Sequence, residues 1–199
     1  MSQVLKPKKG YKSVPWLFGK EIEIPEEWEV MKFIDKIKLE YGSGLTAEQR
    51  DNSGNPVYGS GGIIGLHSKP IVKGGGIIVA RKGSLGNVFY EQQDFFPIDT
   101  VFYITENETT FNLLFLFYYL TNMKLENFAI VTSKAGISRS EIHLLKILIP
   151  PLPEQQKIAS ILSNIDTQIN SQTQYKEKLE RLKKSLMQKL LTGEVRVAI

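Results

Sequence analysis

The chain of 199 residues is 42% hydrophobic and carries a formal net charge of +4, enough apolar content to bury one core beside any extended element. It has no cysteine and only two histidines, His67 and His143, far apart in sequence, which excludes disulfides and thiolate metal sites and leaves no metal-ligand cluster to argue from. The charge is uneven: residues 1–20 hold five lysines and no acid, residues 21–150 twelve Lys/Arg against sixteen Asp/Glu, and residues 151–199 eight against five.

The basic N-terminal segment 1–20 lacks the apolar core of a secretory signal, so a cytoplasmic protein is expected. A strand is predicted near Val30 to Ile34. From Asn52 to Tyr90 no acid occurs, while Lys69, Lys73, Arg81 and Lys82 do, and ten of the sixteen glycines fall there. Glycine admits positive φ and close backbone approach, and the short apolar run Ile77-Ile78-Val79-Ala80 reads as a buried strand between two turns. Exposed loops presenting Tyr58, Ser60, His67, Lys69, Lys73, Arg81, Lys82, Ser84 and Asn87 would offer phosphate contacts and donors for base edges. Glycine-rich turns are equally ordinary in sheet proteins. The body as a whole is net acidic, which weighs against phosphate binding in general, but a local basic face is enough to orient a domain on a duplex.

Further strands are predicted near Val88 to Tyr90, Val101 to Ile104 and Lys146 to Ile149, and helices near Phe111 to Met123 and Ser140 to Leu145. Ser138 and Glu141 are spaced as a capping box for the second helix. The most apolar stretch, Phe111 to Leu120, is about half of the roughly 20 residues a bilayer span needs, so no membrane segment is expected and a buried helix is. The loop from Lys134 to Arg139, with Gly136, reads either as a second contact loop or as a turn joining strand to helix. The elements imply an α/β (α+β) fold with a mixed, strand-rich core.

Apparent enzyme signatures fail on inspection. Asn55-Pro56-Val57-Tyr58 lacks the second proline of an adenine methyltransferase motif. Gly59 to Gly65 is out of register with G-x-G-x-x-G, and in Lys82-Gly83-Ser84 the lysine precedes the glycine that a P-loop lysine must follow. Pro97-Ile98-Asp99 has no Glu-x-Lys partner. No catalytic residue is expected.

The last fifty residues form a long helical pattern with a Pro150-Pro151-Leu152-Pro153 start and a Gly193 exit. Pro153 suits the first helical position and Glu154 the first turn, with Lys189 near the end. Ile158, Ile165, Gln172, Leu179 and Leu186 fall in one column seven residues apart, flanked by Leu162, Ile169, Tyr175 and Leu182, a repeat that packs one helix along another. From Glu154 to Leu191, at about 1.5 Å per residue, the rod is roughly 55 Å long. The polar interruption Asn170 to Gln174 departs from a strict coiled coil, and an ordinary amphipathic helix folded back on its own domain is the alternative reading. The sequence therefore divides into a globular part, 1–152, and a helix, 153–199, read as partner-binding.

The run Pro150 to Leu162, with its proline pair, Glu154-Gln155 and Ile158-Ala159, the rod, and the closing Leu191-Thr192-Gly193 resemble the conserved region of type I restriction-modification specificity subunits. Ile24-Pro25-Glu26-Glu27-Trp28-Glu29 resembles the opening of their target-recognition domains. The resemblance implies a half-length form, with one recognition domain and one helix where full-length members have two of each. It implies double-stranded DNA as ligand, with residues 1–152 as the target-recognition domain, but gives no residue-level code; the loop residues above, including Lys134 and Arg139, are candidate contacts on the reading of the residues alone. It further implies that the chain directs methyltransferase (modification) and restriction subunits to a bipartite site. S-adenosylmethionine, ATP and Mg then belong to those partners. The helix would pair in a homodimer or with a second half-subunit and dock the methyltransferase. A stand-alone DNA-binding regulator and a minimal methyltransferase are the alternative readings.

Overall fold

The computed structural model describes residues 8–16, 19–129 and 136–197. The chain opens with a hairpin of β1 (Tyr11–Pro15) and β2 (Glu21–Pro25), followed by β3 (Glu29–Lys32), β4 (Glu40–Tyr41), β5 (Asn55–Gly59), β6 (Gly62–His67), β7 (Gly76–Ala80), β8 (Val88–Glu91), β9 (Phe96–Pro97) and β10 (Val101–Ile104). Helices α1 (Leu113–Met123), α2 (Glu126–Ala129) and α3 (Arg139–Leu144) come next, then β11 (Lys146–Ile149) and α4 (Leu152–Leu191).

Every residue of β7 is buried, because β7 is an inner strand of the antiparallel sheet β4-β10-β7-β8 and is covered on both faces. Ile77 and Val79 join Phe33, Leu39, Phe102, Leu116 and Leu120 in the main core. Ile78, on the opposite face, packs with Tyr58, Val72, Phe95 and Val101 in a second cluster. A strand covered on both faces reads as an unbroken apolar run, which is how it stood out in the sequence. The second cluster lies between this sheet and a mixed three-stranded sheet, β6-β5-β9. In that sheet β5 pairs antiparallel with β6 along its length and parallel with β9 only at Val57 and Tyr58. Pro56 therefore sits where its missing N–H costs no bond to β9. β6 is an edge strand with Ile63, Ile64 and Leu66 exposed, and the Arg50 guanidinium donates to the Ile64 carbonyl at 3.0 Å.

α1 begins at Asn112, whose side chain accepts from the Phe115 N–H at 2.9 Å and so satisfies one of the helix's free donors. It buries Leu113, Phe115, Leu116 and Leu120 against the main core. Before α3, the Ser138 N–H donates to the Glu141 carboxylate at 3.2 Å, as the capping spacing predicted.

Two compact units divide between Ala159 and Ser160, inside α4. The globular unit thus includes the first two turns of the helix, where the sequence reading placed the division at 152/153. Burial of Gln155 and Ala159 is the cause. The Gln155 Oε1 accepts from the Asn112 N–H at 3.0 Å and its Nε2 donates to the Pro150 carbonyl at 2.9 Å. The Trp28 indole donates to Glu154 at 2.9 Å, and Ile158 packs against the main core. Ile158 was expected in a seam with a partner helix; its apolar side chain is taken up by its own body instead.

The second unit carries the rest of α4. Ile165, Ile169, Gln172, Tyr175, Leu179, Leu182 and Leu186 are exposed, Leu162 is half-buried, and Ile161, Met187, Leu190 and Leu191 add to the exposed apolar surface.

Candidate nucleic-acid interface

The sequence readings drew candidate residues from two distant segments, and the fold brings part of each to one end of the central sheet. Arg81 and Lys82 follow β7, and their backbone N–H groups both donate to the Thr100 carbonyl, at 3.1 and 3.3 Å. The Arg81 carbonyl in turn accepts from the Ile137 N–H at 2.9 Å. A side chain at Gly136 would place its Cβ 2.8 Å from that carbonyl, so glycine is needed for the loop before α3 to lie against the end of β7. The turn after β7 closes by hydrogen bonds from Ala80 N–H to Asn87 O at 2.8 Å and from Gly86 N–H to Ala80 O at 3.2 Å. Asn87 also donates to the Ser60 carbonyl at 3.4 Å, which ties this turn to the tip of the β5–β6 hairpin. Ser60, Arg81, Lys82, Ser84, Asn87 and Arg139 therefore share one neighbourhood. Lys82, Ser84 and Asn87 are exposed there.

Sequence reasoning missed one residue at this place. Tyr41, on β4, is exposed, and its ring centre lies 5.0 Å from the Arg81 guanidinium carbon and 4.7 Å from that of Arg139. Arg81 lies 5.3 Å from the Phe102 ring as well. Such distances place both cations within cation–π range. Arg81 Nη1 donates to the Asp99 carbonyl at 2.9 Å and Arg139 Nη1 to the Leu39 carbonyl at 3.4 Å. Tyr41 is held in place by its neighbour Gly42, where a Cβ would fall 2.0 Å from the Ile98 carbonyl oxygen. No periodicity marks a two-residue strand, so no pattern in the sequence pointed to the position.

The remaining candidates lie elsewhere. Lys73 precedes β7 while Arg81 follows it, and five strand residues at about 3.3 Å each separate them by roughly 15 Å or more. Lys69 and Lys73 are exposed near that far end, and His67 pairs with Asn55 at the base of the hairpin whose tip carries Ser60. His67 Nδ1 lies 3.5 Å from Asp51, and its ring meets Phe96 edge-on at 5.6 Å. Asp51 is a loop anchor: the Ser68 hydroxyl, against the opposing effect of desolvation, and then the Ser53 and Ser68 N–H groups and the Ser53 hydroxyl hold its carboxyl at about 2. Tyr58 is buried in the second core cluster, with its hydroxyl donating to Glu91 at 3.0 Å, and burial together with that carboxylate raises its pKa. In this structure Tyr58 is a packing residue, because its ring has no free face to offer a duplex. Lys134 lies outside the described residues.

His143, on α3, stacks on Phe33 at 6.1 Å. Burial, and secondly the Arg139 charge, lower its pKa. Among the described residues no group of three or more His, Asp or Glu side chains is placed to hold a metal ion. No helix of the described residues is long and apolar enough to cross a membrane.

A strand-rich domain with cationic and amide side chains gathered at one sheet end, continued by an amphipathic helix, is the class of protein that this fold and site define. The chain belongs to the type I restriction modification DNA specificity domain family, whose profile matches residues 25–181. It is 27% identical over 212 residues to the type I restriction enzyme MjaVIII specificity subunit of Methanocaldococcus jannaschii, covering 88% of this chain and 48% of that protein. To the type I restriction enzyme EcoprrI specificity subunit of Escherichia coli it is 28% identical over 120 residues, covering 60% of this chain and 30% of the relative. The fold matches that of a type I restriction-modification system S subunit from M. genitalium with a TM-score of 0.68 at 18% identity, covering 82% of this chain and 46% of that one. The chain spans about half the length of the curated relatives it matches.

Proposed function

We propose that this chain recognises a DNA sequence for a type I restriction-modification complex, without catalysing a reaction itself. The observation that carries the reading is the gathering of Ser60, Arg81, Lys82, Ser84, Asn87 and Arg139 from three separate segments at one end of a sheet, in a domain of the specificity family. Arginine and lysine at such a place supply phosphate contacts, and the amide and hydroxyl groups beside them supply the donors and acceptors that read base edges. The exposed stripe from Ile165 to Leu186 suits pairing with a second helix, from another copy of the chain or another recognition half, and docking of the methyltransferase subunit. On this reading S-adenosylmethionine, ATP and Mg are bound by methyltransferase and restriction subunits.

The test is methylation mapping by sequencing in cells that carry the chain with a cognate methyltransferase subunit. A single bipartite motif that appears only when the chain is present is the expected result. Methylation that is unchanged without the chain removes the reading. Isothermal titration of the purified chain with S-adenosylmethionine is expected to show no binding heat, and saturable binding would turn the assignment toward a methyltransferase.

A further inference from the structure

We infer that Arg81, Tyr41 and Arg139 form a pre-built site for a backbone phosphate of duplex DNA, which positions the duplex without reading its sequence. The inference rests on the DNA-recognition reading and assigns a role within it. Both guanidinium carbons lie within 5.0 Å of the same Tyr41 ring centre, so they are no more than about 10 Å apart, close enough to repel across a partly dry surface. Among the described residues neither arginine forms an ion pair within 4.0 Å with Asp or Glu.

Two features hold the charges together. One is the shared aromatic surface of Tyr41, extended by Phe102 under Arg81. The other is a pair of backbone carbonyls, those of Asp99 and Leu39, each accepting from one Nη1. A guanidinium has five N–H donors; these bonds engage one on each, and although Arg81 Nε is buried away from solvent, other Nη donors on both groups remain. Fixed cations with unspent donors and no direct ion pair match an anion arriving from outside, and a phosphate oxygen pair takes two parallel N–H groups from such a fork.

Depth decides between phosphate and base. Reading guanine requires a side chain to project into a groove about 8.5 Å deep. Arg81 and Arg139 are instead half-buried, laid back on a tyrosine ring. Groups held this far back meet the outermost atoms of a duplex, which are its phosphates. Exposed Lys82, Ser84 and Asn87 are the neighbours free to reach inward.

Because a phosphate contact is indifferent to sequence, it is tested without knowing the target. The full chain is titrated into a pool of random-sequence duplexes across a range of salt concentrations, with fluorescence anisotropy as the readout. Arg139→Ala is expected to weaken binding and to lower the slope of log affinity on log salt by about 0.9, the loss of one neutralised phosphate. Arg139→Lys keeps the charge and is expected to keep the slope while binding several-fold less tightly, since a point charge replaces a bidentate fork. Tyr41→Leu, which leaves both charges but removes their platform, is expected to weaken binding with the slope lowered in the same direction as Arg139→Ala. Thermal melts of each variant identify any that fail to fold, and the lysine variant then carries the decision.

A wild-type slope in both Arg139→Ala and Tyr41→Leu overturns the phosphate site while leaving DNA recognition intact. Selection from the random pool gives a second route to refutation: a changed preferred sequence in Arg139→Lys means that the residue reads a base. Failure of the wild-type chain to bind duplex at any salt concentration sinks the recognition reading together with the site.

Discussion

Arg81 and Lys82 are neighbours in sequence with the same charge, yet the structure gives them different work. Lys82 is exposed and has no described ion pair, whereas Arg81 lies across two aromatic rings and donates to the Asp99 carbonyl. Lys82→Ala is expected to weaken DNA binding with stability unchanged to within about 0.5 kcal/mol. Arg81→Ala is expected to weaken binding and to destabilise the fold by about 1–2 kcal/mol, from lost cation–π contact and a lost hydrogen bond. Urea denaturation beside anisotropy titration separates the two effects, and equal stability loss in both variants contradicts the assignment. Asp51 gives a pH signature at the same scale. Its carboxyl is held at about 2 against an ordinary 3.8, so the unfolded chain binds its proton first. The stability it contributes is complete above 3.8 and is lost as pH falls toward 2. In thermal melts, the gap between wild type and Asp51→Ala should be constant near neutrality and narrow from pH 4 downward. A gap that stays constant to pH 2 removes the linkage.

Among the elements, the start of α4 carries the most specific chemistry. Gln155 is only 4% exposed, and its amide satisfies both the Asn112 N–H and the Pro150 carbonyl. Gln155→Ala strands those two groups, and at about 1–3 kcal/mol for a buried unsatisfied group the loss should be about 2 kcal/mol or more. The expected observation is a lower urea midpoint with little change in the slope m; an unchanged midpoint shows that the amide does not hold the joint. The same joint shows what was legible. The proline-rich start and Glu154-Gln155 marked a helix beginning from sequence alone, but nothing in periodicity says that a glutamine is buried.

The strands divide in the same way. β7, β8, β10 and β11 were visible because apolar runs or alternation marked them, whereas β5 and β6 read as loops. Pro56, the Gly59 to Gly62 tip and Gly65 are turn residues by type, and a register shift between Val57 and Tyr58 breaks the alternation. Strands as short as β4 and β9 hold too few residues for any period. The candidate site inherits this limit: charge marked Arg81, Lys82 and Arg139, while Tyr41, which gathers two of them, came only from the sheet pairing of Tyr41 with Phe102.

For the whole molecule, the question is how the exposed stripe of α4 is used. Leu179 and Leu186 are 46% and 47% exposed, so neither stabilises the single chain, and an acid there should leave its thermal melt unchanged. Leu179→Asp should instead break pairing, because an unpaired carboxylate would be buried in an apolar seam. Sedimentation velocity is expected to show a dimer for the native chain, or a complex on adding a methyltransferase subunit, and the loss of either in the variant. A native chain that remains a monomer in both conditions removes the pairing model.

Strand β6 has a consequence for solution behaviour. An edge strand that exposes Ile63, Ile64 and Leu66 is a template onto which another chain can add a strand. The segment from Gly59 to Leu66 has no charge. Arg50 stands guard over it: the bond to the Ile64 carbonyl occupies an acceptor on the open edge and sets a cation beside it. Colloidal stability is therefore expected to depend on a side chain outside the core, and Arg50→Ala should raise light scattering on concentration well before it changes the midpoint of unfolding.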